Sequence, residues 1–331
     1  MTTDASCSSI RADDALSLIH RLEFDVPWPP NHVAAYLLEG PEPILIDAGA
    51  PDDAGESELR EGLEAAGYEP SDIDHVLVTH VHSDHIGQLP VLRAADATVH
   101  VPQTALSRLD RGLEATRADF RDASIAAGYR GDALAEIVDE EVESFRRDRQ
   151  MVDPETARAI EPDSTFTVGD RTFESFDTPG HAVDHLCFET TIAGTTVLFS
   201  GDALIEPFRA GAFQVGLDRG ADEAVDAYYE AMDRLTETTA THVFPGHGPT
   251  FEDPHRTVGT TRDRLDALLE ETQAATAAIE PATALEIAKE RVGNVRHMAP
   301  VLDTIGALGT LENRDQVSSE TRDGVRYYET T

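Results

Sequence analysis

The sequence predicts an α/β protein with a helical insertion near its middle and a small module at its C-terminal end. Three observations carry that expectation. Short apolar runs of strand character alternate with helix-patterned segments up to about residue 102 and again after residue 165. Between them, over about 103–160, apolar residues recur at helical spacing in a charged background. Beyond Pro281 the pattern changes once more.

In chain order, VAAYLLE (Val33 to Glu39), ILID (Ile44 to Asp47), HVLVTH and TVHV read as strands, and ESELREGLEAAG reads as a helix between them. Within the insertion, Leu134, Ile137, Val138, Val142 and Phe145 fall three or four residues apart, the spacing of an amphipathic helix. The segment is either a packed, solvated helix pair or a lid that shapes a pocket. Strand-like runs resume with TFTV, FESFDTP, HLCFET and TTVLFSGD. A helix from about Asp222 to Leu235 follows, then THVFPGHGP, then a long helix through RLDALLEETQAA. Two β-rich halves thus flank the insertion, with no internal repeat and no segment of low complexity. After Pro281, TALEIAKERVG and MAPVLDTIGALGTLE read as two helices and QVSSETRDGVRYYE as a hairpin turning near Asp323 and Gly324. This last unit resembles a small winged-helix module, so the expected division of the chain is 1–280 and 281–331.

The composition bounds what such a fold can do. The 331 residues are 40% apolar, enough to bury a large core. Acidic residues number 63 against 26 basic ones, for a formal net charge of -37, and Lys289 is the one lysine. Self-repulsion at that charge weakens the compact state in dilute buffer, whereas molar salt shortens the screening length to about 3 Å and removes most of the penalty. A halophilic protein of a salt-accumulating cytoplasm is the expectation, and the charge is then silent about partners. Cys7 and Cys187 offer no framework of bridges, which fits a reducing compartment. The N-terminus lacks a basic start followed by an apolar core, and no run of about 18 apolar residues occurs, so a soluble protein without a membrane partner is expected.

The stretch THVHSDHIGQL, Thr79 to Leu89, places His80, His82, Asp84 and His85 within six positions directly after an apolar strand. That strand delivers them to the carboxyl edge of the sheet, where α/β sites lie, and a helix is expected from Ile86 onward. Imidazole and carboxylate in such density suit zinc or a similar divalent ion. Three further residues of ligand type stand at strand ends beside Gly or Pro: His181 in DTPGH, Asp202 in VLFSGD and His247 in VFPGH. Small neighbours let backbone and metal approach closely.

In that order and spacing, THVHSDH, TPGH, FSGD and PGHG resemble the metallo-β-lactamase superfamily of hydrolases over about Leu16 to Ala275. The resemblance implies an αββα sandwich with a two-metal centre at one edge, most commonly zinc. Carried onto this chain, it implies that His80, His82 and His181 bind one ion, that Asp84, His85 and His247 bind the other, and that Asp202 bridges them. Asp47 in LIDAG matches a position that supports the ligand shell in the family; its other reading is a cap on the turn before Gly49. Two ions about 3.5 to 4 Å apart acidify a bridging water and polarise a scissile carbonyl or phosphoryl group, so no side-chain nucleophile is required. Asp84 is then a catalytic candidate that holds the attacking hydroxide. His185, in PGHAVDH, resembles a subgroup motif and is either a catalytic proton donor or a structural hydrogen bonder.

The resemblance narrows to members with a winged-helix-like C-terminal domain, some linked to RNA cleavage and others to ester or thioester hydrolysis. The leading expectation is a hydrolase of a small-molecule ester, thioester or lactone. A metal-dependent endoribonuclease on the same centre and an iron-dependent, persulfide dioxygenase-like oxidoreductase remain as alternatives. A flavodiiron protein is disfavoured, because position 82 is histidine and no flavodoxin-like segment follows. So are one major class of true β-lactamases, which has cysteine where Asp202 stands, and the tRNA-processing endonucleases, whose basic insertion is missing. Nucleic acid is not the favoured partner: from Thr283 onward six basic residues face eight acidic ones, a net of -2. Arg209, in the loop IEPFRAGAFQVG with Phe208 and Phe213, is either an anion contact or a salt-bridged surface arginine. A homodimer is the candidate assembly.

Overall fold

The apolar runs of the two halves pair into two separate sheets in a computed structural model that describes residues 16–295 and 297–331. Cys7, the N-terminal stretch in which no leader is expected, and Arg296 lie outside the described residues. In the first sheet, β1 (Ile19–Asp25), β2 (His32–Leu38), β3 (Ile44–Ile46), β4 (His75–Leu77), β5 (Thr98–Pro102) and β6 (Arg158–Ile160) lie side by side in chain order. The pairing is antiparallel through β3 and parallel from there on. The second sheet holds β7 (Thr165–Val168), β8 (Arg171–Asp177), β9 (Leu186–Ile192), β10 (Thr195–Gly201), β11 (His242–Pro245) and β12 (Phe251–Glu252), again in sequence order. There β10 and β11 run parallel, and their register slips between Phe199 and Gly201, just before Asp202.

Alternation along the strands builds four layers. Tyr36, Ile46 and Leu77 of the first sheet meet Phe173, Phe188, Phe199 and Phe244 of the second in one buried cluster. Fully burying a side chain of this kind is worth about 1.5–3 kcal/mol, so these facing rings are a main reason the sheets stack. Tyr36 satisfies its hydroxyl by donating to the Pro245 carbonyl at 2.7 Å, which ties β2 to the end of β11. Helices cover both outer faces. On the first sheet lie α1 (Asp53–Ala65), α2 (Ser83–Ile86), α3 (Leu89–Ala94) and the insertion; on the second lie α7 (Ala224–Arg234) and α8 (Pro254–Ile279).

The insertion contains α4 (Gln103–Leu109), α5 (Leu113–Ala127) and α6 (Gly131–Val152). Its apolar stripe, Leu134, Val138, Val142 and Phe145, enters the same cluster as Val76, Val99 and Val101, so it is packed onto the sheet rather than free of it. The expected end of the insertion at about 160 is corrected: helix stops at Val152, and residues 158–160 pair with β5 as the edge strand β6. A three-residue strand, RAI, has no periodicity to betray it; only the open ladder of β5 recruits it.

After residue 280, α9 (Ala284–Val292) starts at a capping box between Thr283 and Glu286. It is followed by α10 (Ala299–Asn313) and the hairpin of β13 (Val317–Arg322) and β14 (Val325–Thr330), which turns at Asp323 and Gly324 as expected. Ile287, Leu308, Leu311 and Tyr328 share an apolar cluster with Tyr228 and Leu265, so the core runs through the expected boundary. Among the described residues no helix is long and apolar enough to cross a membrane.

Candidate metal centre

The ends of β4, β8, β10 and β11 open at one edge of the sandwich, and the seven residues singled out in the sequence meet there. His80 stands three residues beyond β4, after Val78 and Thr79. His82 is the extended residue in front of α2, and that helix starts at Ser83, three residues earlier than the expected start at Ile86. The backbone N–H of His85 donates to the His82 carbonyl at 2.9 Å and closes this turn, which brings Asp84 and His85 inward together. His181 stands on the loop after β8, Asp202 directly after β10, and His247 after β11. His80 and His85 are fully buried; Asp84, His181, Asp202 and His247 retain at most 7% exposure.

The donor atoms converge in groups small enough to share an ion. His80, His82 and His181 form one group, Asp84, His85 and His247 another, and Asp202 joins His80 and His85 in a third; within each, the donors lie within 4.8 Å of one another. Asp202 Oδ2 lies 3.4 Å from His181 Nε2 and 3.3 Å from His247 Nε2, and its Oδ1 lies 3.4 Å from His85 Nε2. Asp84 Oδ2 is 3.5 Å from His247 Nε2.

The proton inventory shows that this arrangement fits a cation. The Thr79 hydroxyl donates to Asp47 Oδ2 at 2.8 Å, so in its 3.0 Å contact with His80 Nδ1 it accepts the ring proton. His181 Nδ1 donates to the Gly211 carbonyl at 2.9 Å. A neutral imidazole carries one proton, so both Nε2 atoms present lone pairs. Both point at His82 Nδ1, at 3.0 and 2.9 Å, and a single proton there serves only one of them. Nearby, His85 Nε2 and Asp202 Oδ1 are buried with no hydrogen-bond partner. Buried polar atoms without partners are costly, and divalent cations among these groups, one of them in place of a proton on His85, would satisfy them.

The surrounding residues orient the rings. Asp47, held at a positive φ of 60°, accepts from the Thr79 N–H, the Thr79 hydroxyl and His85 Nδ1, each at 2.8 Å. It therefore supports His85 rather than merely capping a turn, which matches the carboxylate–histidine pattern of metal sites. His247 Nδ1 contacts the His32 carbonyl at 2.5 Å, and His32 Nε2 accepts from the Gly248 N–H at 2.9 Å. His32 escaped the sequence reading because its carbonyl does most of this work, and no side-chain motif encodes a carbonyl.

Electrostatics follow from burial and neighbours. Burial, with the flanking imidazoles, holds the His80 pKa well below its ordinary value. Burial also opposes charge on His85, yet the Asp202 and Asp47 carboxylates outweigh it and raise the pKa well above normal. For Asp202 burial favours the neutral acid, but His247 and His85 keep it ionised far below the usual carboxylate range. The carboxylates thus demand positive charge at their centre.

His185 occupies a different place. Its ring is fully buried, Nε2 accepts from the Asp202 N–H at 3.0 Å, and Nδ1 faces the Thr178 hydroxyl at 2.7 Å. Both nitrogens are engaged behind Asp202, and neither opens toward a ligand. Arg209 also turns away from the centre and forks onto Asp303 of α10 at 3.2 and 3.0 Å, as a salt-bridged arginine. Phe213, from the same loop, does reach the site: its ring lies 5.3 Å from that of His181 and 6.1 Å from that of His82.

Five imidazoles and two carboxylates gathered at the open edge of an αββα sandwich define a metallo-hydrolase scaffold. Residues 28–247 match the metallo-beta-lactamase superfamily model, and the chain belongs to that superfamily. It is similar to the probable metallo-hydrolase YqjP of Bacillus subtilis, 24% identical over 317 residues that cover 92% of this chain and 95% of that protein. It is 26% identical to the lactamase-like protein adaB of Aspergillus niger over 63% of this chain and 47% of adaB, and so spans about half the length of that relative. Among solved structures, a metallo-beta-lactamase family protein from Thermus thermophilus superposes with a TM-score of 0.76 at 21% identity, covering 96% of this chain and 99% of that one. A beta-lactamase domain protein from Burkholderia ambifaria gives 0.72 at 19% identity, covering 95% and 93%. The two superpositions extend over nearly the whole chain, so the fold recurs in both solved structures.

Proposed function

We propose that this chain is a binuclear zinc hydrolase acting on a small ester, thioester or lactone. His80, His82 and His181 hold one ion, Asp84, His85 and His247 the other, and Asp202 lies between them. The observation that carries this reading is the convergence of lone pairs that have no protons to share. Imidazole with carboxylate at this density suits zinc or a similar divalent ion, and zinc is the one proposed. Such ions, when bound, supply an acidified water and a Lewis acid for the scissile carbonyl.

The chain's own residues do the rest. Asp84 holds a water proton at Oδ2, close to His247. Asp47 and the Gly211 carbonyl fix the tautomers of His85 and His181. His185 is a positioning residue that pins the Asp202 backbone. The Phe213 ring walls the centre and suits the apolar part of a small acyl substrate. We read the C-terminal helices and hairpin as a winged-helix-like module used for packing rather than for nucleic acid. Three of its arginines pair with carboxylates within the fold: Arg326 with Asp222 and Glu312, Arg322 with Glu320, and Arg291 with Glu271. The same reading places the protein in a salt-rich cytoplasm.

The test is a panel of thioesters, lactones, phosphodiesters and short RNA in molar potassium chloride, with metal content measured and a His82→Ala control. Turnover of an acyl substrate by the zinc-loaded enzyme, lost in the control, is expected. An unaffected control, or one iron and no zinc per chain, sinks the proposal; cleavage of RNA alone moves it to the nuclease reading.

A further inference from the structure

The geometry points to Asp303, in the C-terminal helix α10, as a positioning residue for the His181 side of the metal centre. This rests on the metal reading above and adds a residue that lies in none of the metal-ligand motifs. One carboxylate does two jobs. It receives the Arg209 guanidinium through both oxygens, at 3.2 and 3.0 Å, and its Oδ1 accepts from the Ala212 N–H at 2.7 Å. The Arg209 and Asp303 side chains are only 10% and 17% exposed.

Between the two anchored residues sits Gly211, whose carbonyl holds the His181 Nδ1 proton at 2.9 Å. Gly211 has no freedom to carry a side chain: a Cβ there would lie 1.9 Å from the Phe213 ring, which packs on His181. One residue further, Gln214 is laced to the His181 loop. Its N–H donates to the carbonyls of Gly180 and His181 at 3.1 Å, its side-chain oxygen accepts from the Gly180 N–H at 2.9 Å, and its carbonyl accepts from the Val183 N–H at 2.8 Å. The segment 209–214 is therefore a rigid strap over His181, and Asp303 is its anchor. Burial disfavours charge on Arg209, and the Asp303 carboxylate more than offsets this, so the clamp stays ionic.

The consequence is that a residue of the C-terminal module sets the tautomer and direction of one histidine of the centre. Partners of metal-bound histidines typically govern affinity by about 10- to 100-fold. The experiment compares full-length wild type with Asp303→Asn, His181→Ala and the double variant Arg209→Met/Asp303→Leu in molar potassium chloride. Zinc per chain is read against chelators of graded strength, and the melting midpoint is read after metal removal. The apolar double variant removes both charges together, the change that buried ion pairs tolerate best, so it is the variant built to keep its fold.

The expected result is that the double variant melts near wild type but holds one of its two ions at least about tenfold more weakly. Asp303→Asn, which retains the acceptor for Ala212, is expected within about threefold of wild type, a smaller loss than removal of a second-layer partner brings. In a His181→Ala background the double substitution is expected to have no further effect on metal affinity. Wild-type affinity for both ions in the double variant overturns the proposal and leaves the metal reading standing. So does an equal loss with His181 already removed. A wild-type chain that binds no zinc at all overturns the metal reading instead.

Discussion

Exchanging Asp47 for asparagine replaces one oxygen by an amide nitrogen and tests how the centre keeps its lone pairs. Asp47 accepts three hydrogen bonds, from the Thr79 N–H, the Thr79 hydroxyl and His85 Nδ1. Asparagine has one acceptor oxygen, and its amide hydrogens must face at least one of those donors. With the oxygen kept at the Oδ1 place, the Thr79 N–H stays bonded, and the Thr79 hydroxyl can turn. As the neutral ring that metal binding requires, His85 can respond only by carrying its one proton on Nε2 rather than Nδ1, and Nε2 is the atom that faces Asp202. The ligand atom is then blocked, and binding must first reverse the tautomer. The expected loss is about 10- to 100-fold in affinity for the ion held by Asp84, His85 and His247, or about 1.4–2.8 kcal/mol. Asp47→Ala is a poorer probe, because three buried donors left unpaired at about 1–3 kcal/mol each rival the whole stability of a domain. The assay is chelator competition for zinc, with the imidazole nitrogen shifts of His85 followed by NMR in the metal-free chain. An asparagine variant that holds both ions within about twofold of wild type, well short of that range, refutes the reasoning.

Three further outcomes are expected. The melting midpoint rises between dilute buffer and molar potassium chloride because screening removes the self-repulsion of a net charge of -37; equal midpoints refute the halophilic reading. Burial pushes the Glu141 carboxyl up to about 7 and that of Asp148 up to about 6. The folded chain then keeps protons that the unfolded chain has released, so this contribution is full below the ordinary carboxylate pKa and is lost as pH rises through about 6 and about 7. Glu141→Gln and Asp148→Asn should each stabilise the protein at pH of about 8 by about 1–3 kcal/mol in urea titrations and flatten that decline; a steeper decline contradicts the assignment. Gly201→Ala should destabilise by more than about 2 kcal/mol and reduce zinc retention, since a Cβ at this φ of +46° would lie 2.6 Å from His185 Nε2 and 2.8 Å from Thr79 Oγ1. A variant that melts and binds zinc as wild type does shows that the end of β10 is looser than described.

The sequence made the central strands legible because ILI, HVL and TVLF are apolar runs cut off sharply by Asp, His or Gly. The first strand, IHRLEFD, went unassigned: its outward residues are charged and its alternation is brief, yet it pairs with β2 along its whole length. The edge strand RAI was hidden behind a 22-residue helix. At the centre, the seven donors were readable since each is a side chain in a short motif that follows an apolar strand. What supports them was not. The Gly211 and His32 carbonyls are 30 and 215 residues from the histidines they hold, and a backbone acceptor leaves no mark on residue type. The role of His185 was open for the same reason, because the Asp202 N–H that occupies its Nε2 comes from the turn after β10.

The two sheets exchange no strand, and the donors divide between them: His80, His82, Asp84 and His85 follow the first, and His181, Asp202 and His247 follow the second. A nick in the short connection between β6 and β7 would therefore leave each sheet whole and each half with an incomplete set of claws. On the metal reading proposed above, a divalent ion would act as the rivet between such fragments, with their reunion governed by free metal concentration. In the uncut chain a bound cation would add a cross-link at the open rim to the apolar packing that already holds the two faces together.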